Sequence, residues 1–164
     1  MSQVSQFCLP AELPPSPTLT LCAPVSGQVH PLNCLPSALM ANGLLGAGVC
    51  IEMHSHKLVA PCHGQLLSVD MGAKQWRFKS NNGVHILVHL HSDEPTLTNK
   101  AKLSALNCTP VRKGMQLAYF DLRQFKSAPR VAMIVTHTRF SAEILFSHKQ
   151  AHCAEPLLFI YHKK

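Results

Sequence analysis

The sequence predicts an all-β domain, an antiparallel β-sandwich or barrel with a duplicated strand-turn-strand corner and a few short helices. Three observations carry that expectation. Apolar runs are short and bounded by Gly, Pro, Asn or Ser, helical periodicity is weak, and one seven-residue pattern occurs twice. Apolar residues make up 46% of the 164 and charged residues 14%. That is enough hydrophobic mass for one core and too little charge for a disordered chain.

Along the chain, Pro10, Pro14, Pro15 and Pro17 fall in a stretch with Ser and Gln, so residues 1–17 are expected to be a loose arm and 18–164 the folded domain. Ala23-Pro24-Val25-Ser26-Gly27-Gln28-Val29 recurs as Ala60-Pro61-Cys62-His63-Gly64-Gln65-Leu66. Pro suits the start of a strand, where no ladder donor is needed, and Gly permits a tight turn, so each copy predicts a corner and the pair predicts pseudo-symmetry. Residues 36–45 hold a first helical candidate. The runs at 48–53, 65–69 and 76–79 predict strands, and Asn81-Asn82-Gly83 is a turn signal that opens another at 84–91. Residues 97–105 and 122–125 are the other helical candidates, with strands expected at 115–120 and 131–136.

Composition also excludes function classes. No apolar run approaches the roughly 18 residues of a membrane span, and residues 1–10 lack the basic start and apolar block of a secretory signal, so a soluble, cytoplasmic protein is expected. Seven cysteines, with no Cys-x-x-Cys pair, are expected to be reduced and mostly buried. The formal charge is +7, from 15 Lys and Arg against 8 Asp and Glu. The cations are scattered with few aromatics between them, which argues against a nucleic-acid partner.

The segment 84–91 is where chemistry concentrates. In a strand, His85, Leu87, His89 and His91 point one way and Ile86, Val88 and Leu90 the other, so three imidazoles are expected on one rigid surface. A neutral imidazole near pH 7 is a nucleophile that can take a phosphoryl group without a metal, given donors for the phosphoryl oxygens and an apolar surround such as Leu87 and residues 38–40. His54-Ser55-His56 and His89-Leu90-His91 also have a spacing that can chelate zinc. A third ligand and a general base are missing from the pattern, so neither metal nor cofactor is expected.

From Thr18 to Lys164 the chain resembles the glucose-specific enzyme IIA component of the bacterial sugar phosphotransferase system. The shared marks are Ala23-Pro24-Val25-Ser26-Gly27, Gly46-Ala47-Gly48-Val49, Val59-Ala60-Pro61 with Gly64, Gly83-Val84 leading to Val88-His89, and Phe120-Asp121-Leu122. Residues 155–160 resemble that family's closing strand. The resemblance implies an antiparallel β-sandwich and a cytoplasmic phosphocarrier. In it, His89 would accept a phosphoryl group from the histidine-containing phosphocarrier protein and pass it to a cysteine of a sugar permease IIB domain.

It further implies an apolar docking face, matched by Leu39, Met40, Leu44, Leu45 and Leu87. That face would also serve regulatory targets such as adenylate cyclase, glycerol kinase and other sugar permeases. The family's second active-site histidine, which also completes a zinc site, falls on Lys74. Its Gly-Asp-Gly is here Gly46-Ala47-Gly48, and the glycine two residues after its active histidine is here His91. Lys74 and His91 are therefore the expected substitutes at the site. A lysine ammonium can neutralise phosphoryl oxygens but cannot accept a proton. The alternative implied by these departures is a regulatory module that binds proteins without passing phosphate onward.

Overall fold

Residues 5–98, 101–105 and 107–163 are described in a computed structural model. In chain order the strands are β1 (Gln6–Phe7), β2 (Leu19–Cys22), β3 (Gly27–Pro31), β4 (Ala47–Met53), β5 (Lys57–Val59), β6 (Gly64–Val69), β7 (Gln75–Ser80) and β8 (His85–His91). They continue as β9 (Ala101–Leu103), β10 (Thr109–Val111), β11 (Gln116–Phe120), β12 (Arg130–His137), β13 (Ala142–Phe146), β14 (Gln150–Ala151) and β15 (Pro156–His162). One four-residue helix, α1 (Ala38–Ala41), interrupts them. The expected nearly all-β fold is what forms.

An eight-stranded sheet runs β10-β6-β7-β8-β12-β4-β3-β14, beside a four-stranded sheet β1-β13-β15-β2 and a three-stranded sheet β5-β11-β9. Strand pairs are antiparallel except β1 with β13. The main core lies among the sheets, with Trp76, Phe78 and Phe120 as its largest fully buried side chains. Trp76 Nε1–H donates to Ala73 O at 2.9 Å, so the indole is buried without an orphaned donor.

The repeat is a real duplication in space. Cys22 N–H donates to Pro61 O and Val59 N–H to Pro24 O, each at 2.9 Å, a reciprocal pair related by the sequence offset of the two copies. The glycine of each copy has a different reason from the turn expected of it. At Gly27 a Cβ would collide with the Glu52 carbonyl oxygen, and at Gly64 with that of Lys79, because the neighbouring strand crosses there. Gly27 alone of the two combines this with a positive φ, 157°.

The strands expected at 48–53, 65–69, 76–79, 84–91, 115–120 and 131–136 all form, with no end shifted by more than one residue. β4 and β12 lack alternation because both their faces are covered. Val131, Met133 and Val135 enter the main core, while Ala132 and Ile134 join a second cluster with Leu32, Leu35, Met40, Cys50 and Leu87. The helical candidates are corrected. Residues 36–45 give only α1, too short for a self-supporting helix and held by Met40 in the second cluster. Within 97–105 residues 101–103 form β9, where Ala101 and Leu103 lie half-buried either side of exposed Lys102, a period of two; residues 99 and 100 fall outside the described residues. Residues 122–124 form a single 3₁₀ turn capped by the Asp121 carboxylate, which accepts from Arg123 N–H.

Residues 5–17, the described part of the stretch expected as a loose arm, make contacts with the domain. β1 pairs with β13, the Phe7 and Phe146 rings meet edge to face at 5.5 Å, and Tyr161 O–H donates to Pro14 O at 2.8 Å. Two aromatic anchors outweigh the proline-rich composition there.

Candidate functional site around His89

A hairpin presents the site. Gly83, at φ 79°, closes the turn with its N–H donating to Ser80 O, and the Ser80 hydroxyl accepts from Val84 N–H, delivering the chain into β8. Along β8, Ile86, Val88 and Leu90 enter the main core, as their even numbering requires. The odd face is divided. Leu87 is 3% exposed and sealed in the second cluster, so His89 and His91 stand together at one end of it and His85 at the other. The three imidazoles expected on one rigid surface do share the odd face, but Leu87 divides them, and His85 pairs with His137, their rings edge to face at 5.5 Å.

His89 lies between Gln75 of β7 and Ala132 of β12 in the register. It is half-buried, with its ring centroid 4.2 Å from that of His91 and the planes tilted by 59°. Its Nδ1 is buried without a hydrogen-bond partner, which leaves Nε2 as the outward nitrogen. Burial, reinforced by His91 and then Lys74 and opposed by Asp70, pulls the imidazole down from 6.5 to about 4. His91 is lowered for the same reasons, burial first, then Lys74 and Arg130. Its Nε2 lies 3.3 Å from Met40 Sδ, a contact in which the Nε2–H tautomer donates to sulfur. Both rings are thus neutral near pH 7.

Lys74 stands beside the pair. Its carbonyl accepts from Leu90 N–H at 2.8 Å, and its ammonium donates to Ser92 O at 3.3 Å, which anchors the cation toward the His91 end. A residue the sequence reading missed fixes this geometry: the Asp70 carboxylate accepts from the N–H groups of Lys74 (2.7 Å) and Gln75 (2.9 Å). Asp70-Met71-Gly72 is a turn signal, closed here by Ala73 N–H donating to Asp70 O, and reading it as one would have located the loop. Gln75 and Arg130 were also missed; cross-strand pairing, which no local pattern reports, brings them next to His89 and His91.

The expected docking residues separate by depth. Leu39 and Leu44 are 56% and 63% exposed, Leu45 is half-buried, and Met40 and Leu87 are 6% and 3% exposed inside the second cluster. Met40 and Leu87 therefore support the face and cannot line it, because the segment 32–45 needs their burial to stay in place. The other His-x-His pair is structural at His56, whose Nδ1 lies 2.9 Å from Phe120 O and 3.2 Å from Leu122 N, with the ring stacked on Tyr119. Among the described residues no group of three or more His, Cys, Asp or Glu side chains is arranged to hold a metal ion. The described residues also contain no helix long and apolar enough to cross a membrane.

Residues 19–141 match the family described as phosphoenolpyruvate-dependent sugar phosphotransferase system, EIIA 1. Over 110 residues the chain is 31% identical to the glucose-specific EIIA component of Borreliella burgdorferi, covering 66% of this chain and 58% of that protein. It is 26% identical over 106 residues to the corresponding component of Buchnera aphidicola, covering 63% and 62%. A third relative is the glucosamine-specific EIICBA component of Bacillus subtilis, 27% identical over 115 residues, which are 70% of this chain and 18% of that protein. The matched part thus spans about six tenths of the two glucose-specific components. The glucose permease IIA of Mycoplasma capricolum has the same fold, with a TM-score of 0.71 at 22% identity over 85% of this chain and 94% of that one.

Proposed function

As the chain belongs to the phosphoenolpyruvate-dependent sugar phosphotransferase system EIIA 1 family, we propose that it is a cytoplasmic phosphocarrier whose acceptor is Nε2 of His89. The observation that carries this reading is the state of that ring: half-buried, held neutral, with one nitrogen sealed inside and the other facing out. The Nε2 lone pair attacks phosphorus of a phosphohistidine on the donor, the histidine-containing phosphocarrier protein. A new N–P bond forms as the donor's N–P bond breaks, and the donor imidazole leaves with its electron pair. Return of the phosphoryl group to a cysteine thiolate of a permease IIB domain reverses the bond changes at Nε2. The neighbouring apolar cluster limits access of water, and the Lys74 ammonium offsets phosphoryl charge. His91 supports the pair by ring contact.

Lys74 favours a second reading. A protonated lysine supplies charge but no proton acceptor where the family has a histidine, so the chain can instead bind regulated proteins at this face without passing phosphate onward. One experiment separates the readings. Incubation with phosphoenolpyruvate, the upstream kinase and the phosphocarrier protein should place an acid-labile, base-stable phosphate on His89, lost in His89→Ala. Absence of label beside a control carrier that is labelled would leave only the regulatory reading.

A further inference from the structure

The register of the large sheet gives the strand face that carries His89 a definite charge toward its His85 end. Arg77 stands opposite Leu87 and Lys79 opposite His85, on the same side as the imidazoles. Arg77 is exposed, Lys79 half-exposed, and neither meets a carboxylate among the described residues; Arg77 contacts only Gln75 Oε1, at 3.5 Å. The acids nearest by are engaged elsewhere or lie beyond the pair: Asp70 binds two backbone N–H groups, Glu52 lies 3.5 Å from His30 Nε2, and Asp93 lines a cleft next to His91. On the opposite flank the segment that covers Leu87 turns Leu39 and Leu44 outward. Trp76 and Phe78 of β7 face the main core, so the surface has no aromatic platform for bases.

We infer that the protein exchanging phosphoryl groups with His89 docks an acidic face here, its carboxylates against Arg77 and Lys79 and an apolar patch against Leu39 and Leu44. This rests on the phosphocarrier reading and deepens it. The surface combines an apolar ridge with uncompensated cations, which suits a protein partner of opposite charge and slows a basic-rimmed one by repulsion.

The test uses a histidine-phosphorylated phosphocarrier protein in two forms, one with its basic rim and one with the rim cations replaced by glutamate, both charged chemically with phosphoramidate. At low salt the acidic-rim form should transfer to this chain about ten-fold faster or more, with the preference fading at high salt. In the Arg77→Glu, Lys79→Glu double variant the preference should reverse. Equal rates, a faster basic-rim donor, or a preference unmoved by the double variant overturns the inference, as does a single-stranded oligonucleotide displacing the acidic-rim donor at lower concentration than the donor's own. Phosphoramidate applied directly needs no docking face. If it labels His89 while neither donor is preferred, the docking inference alone fails; if nothing labels His89, the phosphocarrier reading fails and takes the inference with it.

Discussion

The neutral state of His89 is the most exposed point of the reasoning, and acid is the perturbation that tests it. An ordinary histidine at 6.5 is about 3% neutral at pH 5, whereas one at about 4 is about 90% neutral, a difference of roughly thirty-fold in available nucleophile. The cause is burial of the ring first, then His91 and Lys74. An imidazole NMR titration from about pH 7.5 to about pH 3.5, assigned with His89→Gln, reads the midpoint directly. The expected midpoint lies near 4; one at 6 or above refutes the claim that the site keeps its nucleophile neutral by burial. If acid unfolds the chain first, the ring should still be neutral up to that transition.

The same titration carries a stability consequence. Between about 4 and 6.5 the unfolded chain binds a proton at this ring and the folded chain does not, so native stability falls as the pH drops through that window. A full difference would be worth roughly 3 kcal/mol, and solvent screening of a ring that is only partly buried reduces this to about 1–2 kcal/mol. His91, lowered by the same causes, adds in the same direction.

Four substitutions test other parts of the structure. Gly64→Ala should cost more than about 2 kcal/mol in chemical denaturation, because a Cβ there would collide with the Lys79 carbonyl and come within 2.8 Å of Ser80 Cα; Gly72→Ala, whose nearest neighbour would be at 3.6 Å, should stay within about 0.5 kcal/mol. Leu87→Ala should cost about 2–4 kcal/mol and speed proteolysis within residues 32–45, since it empties the centre of the second cluster; a loss with no gain in cleavage there would show that the cluster does not hold the segment. Lys74→His should raise the rate of transfer to a permease IIB domain, and an unchanged or lower rate would refute the idea that Lys74 limits that step.

What could be read in the sequence was what depends on neighbours in the chain. The alternation of β7 and β8 and the apolar runs of β4 and β12 declare strands by their own side chains. Short edges such as β5 and β10 do not, because three residues are held there by a partner's register and not by their own preference. Helices were expected where apolar spacing suited them, at 36–45 and 97–105. At 36–45 packing of Met40 in the second cluster kept only the single turn of α1, and at 101–103 pairing with β11 made a strand.

The site divides on the same principle. Strand parity put His85, His89 and His91 on one face correctly, but parity cannot tell an open face from a covered one. The cover comes from residues 32–45, whose Leu32, Leu35 and Met40 share a cluster with Leu87 of β8, Cys50 of β4 and Ala132 and Ile134 of β12. That cover separates His85 from the other two, and together with Asp70 holding the Lys74 backbone it shapes the environment that keeps His89 neutral. The resemblance pointed to His89 as the proposed acceptor and carried an apolar docking face over onto five positions, of which Met40 and Leu87 are buried. The cations Arg77 and Lys79 were scattered in sequence and became adjacent to the site only through the β7–β8 register. A net charge read from composition therefore understated its own meaning: pairing of strands, not clustering along the chain, places Arg77 opposite Leu87 and Lys79 opposite His85, on the face that also carries His89.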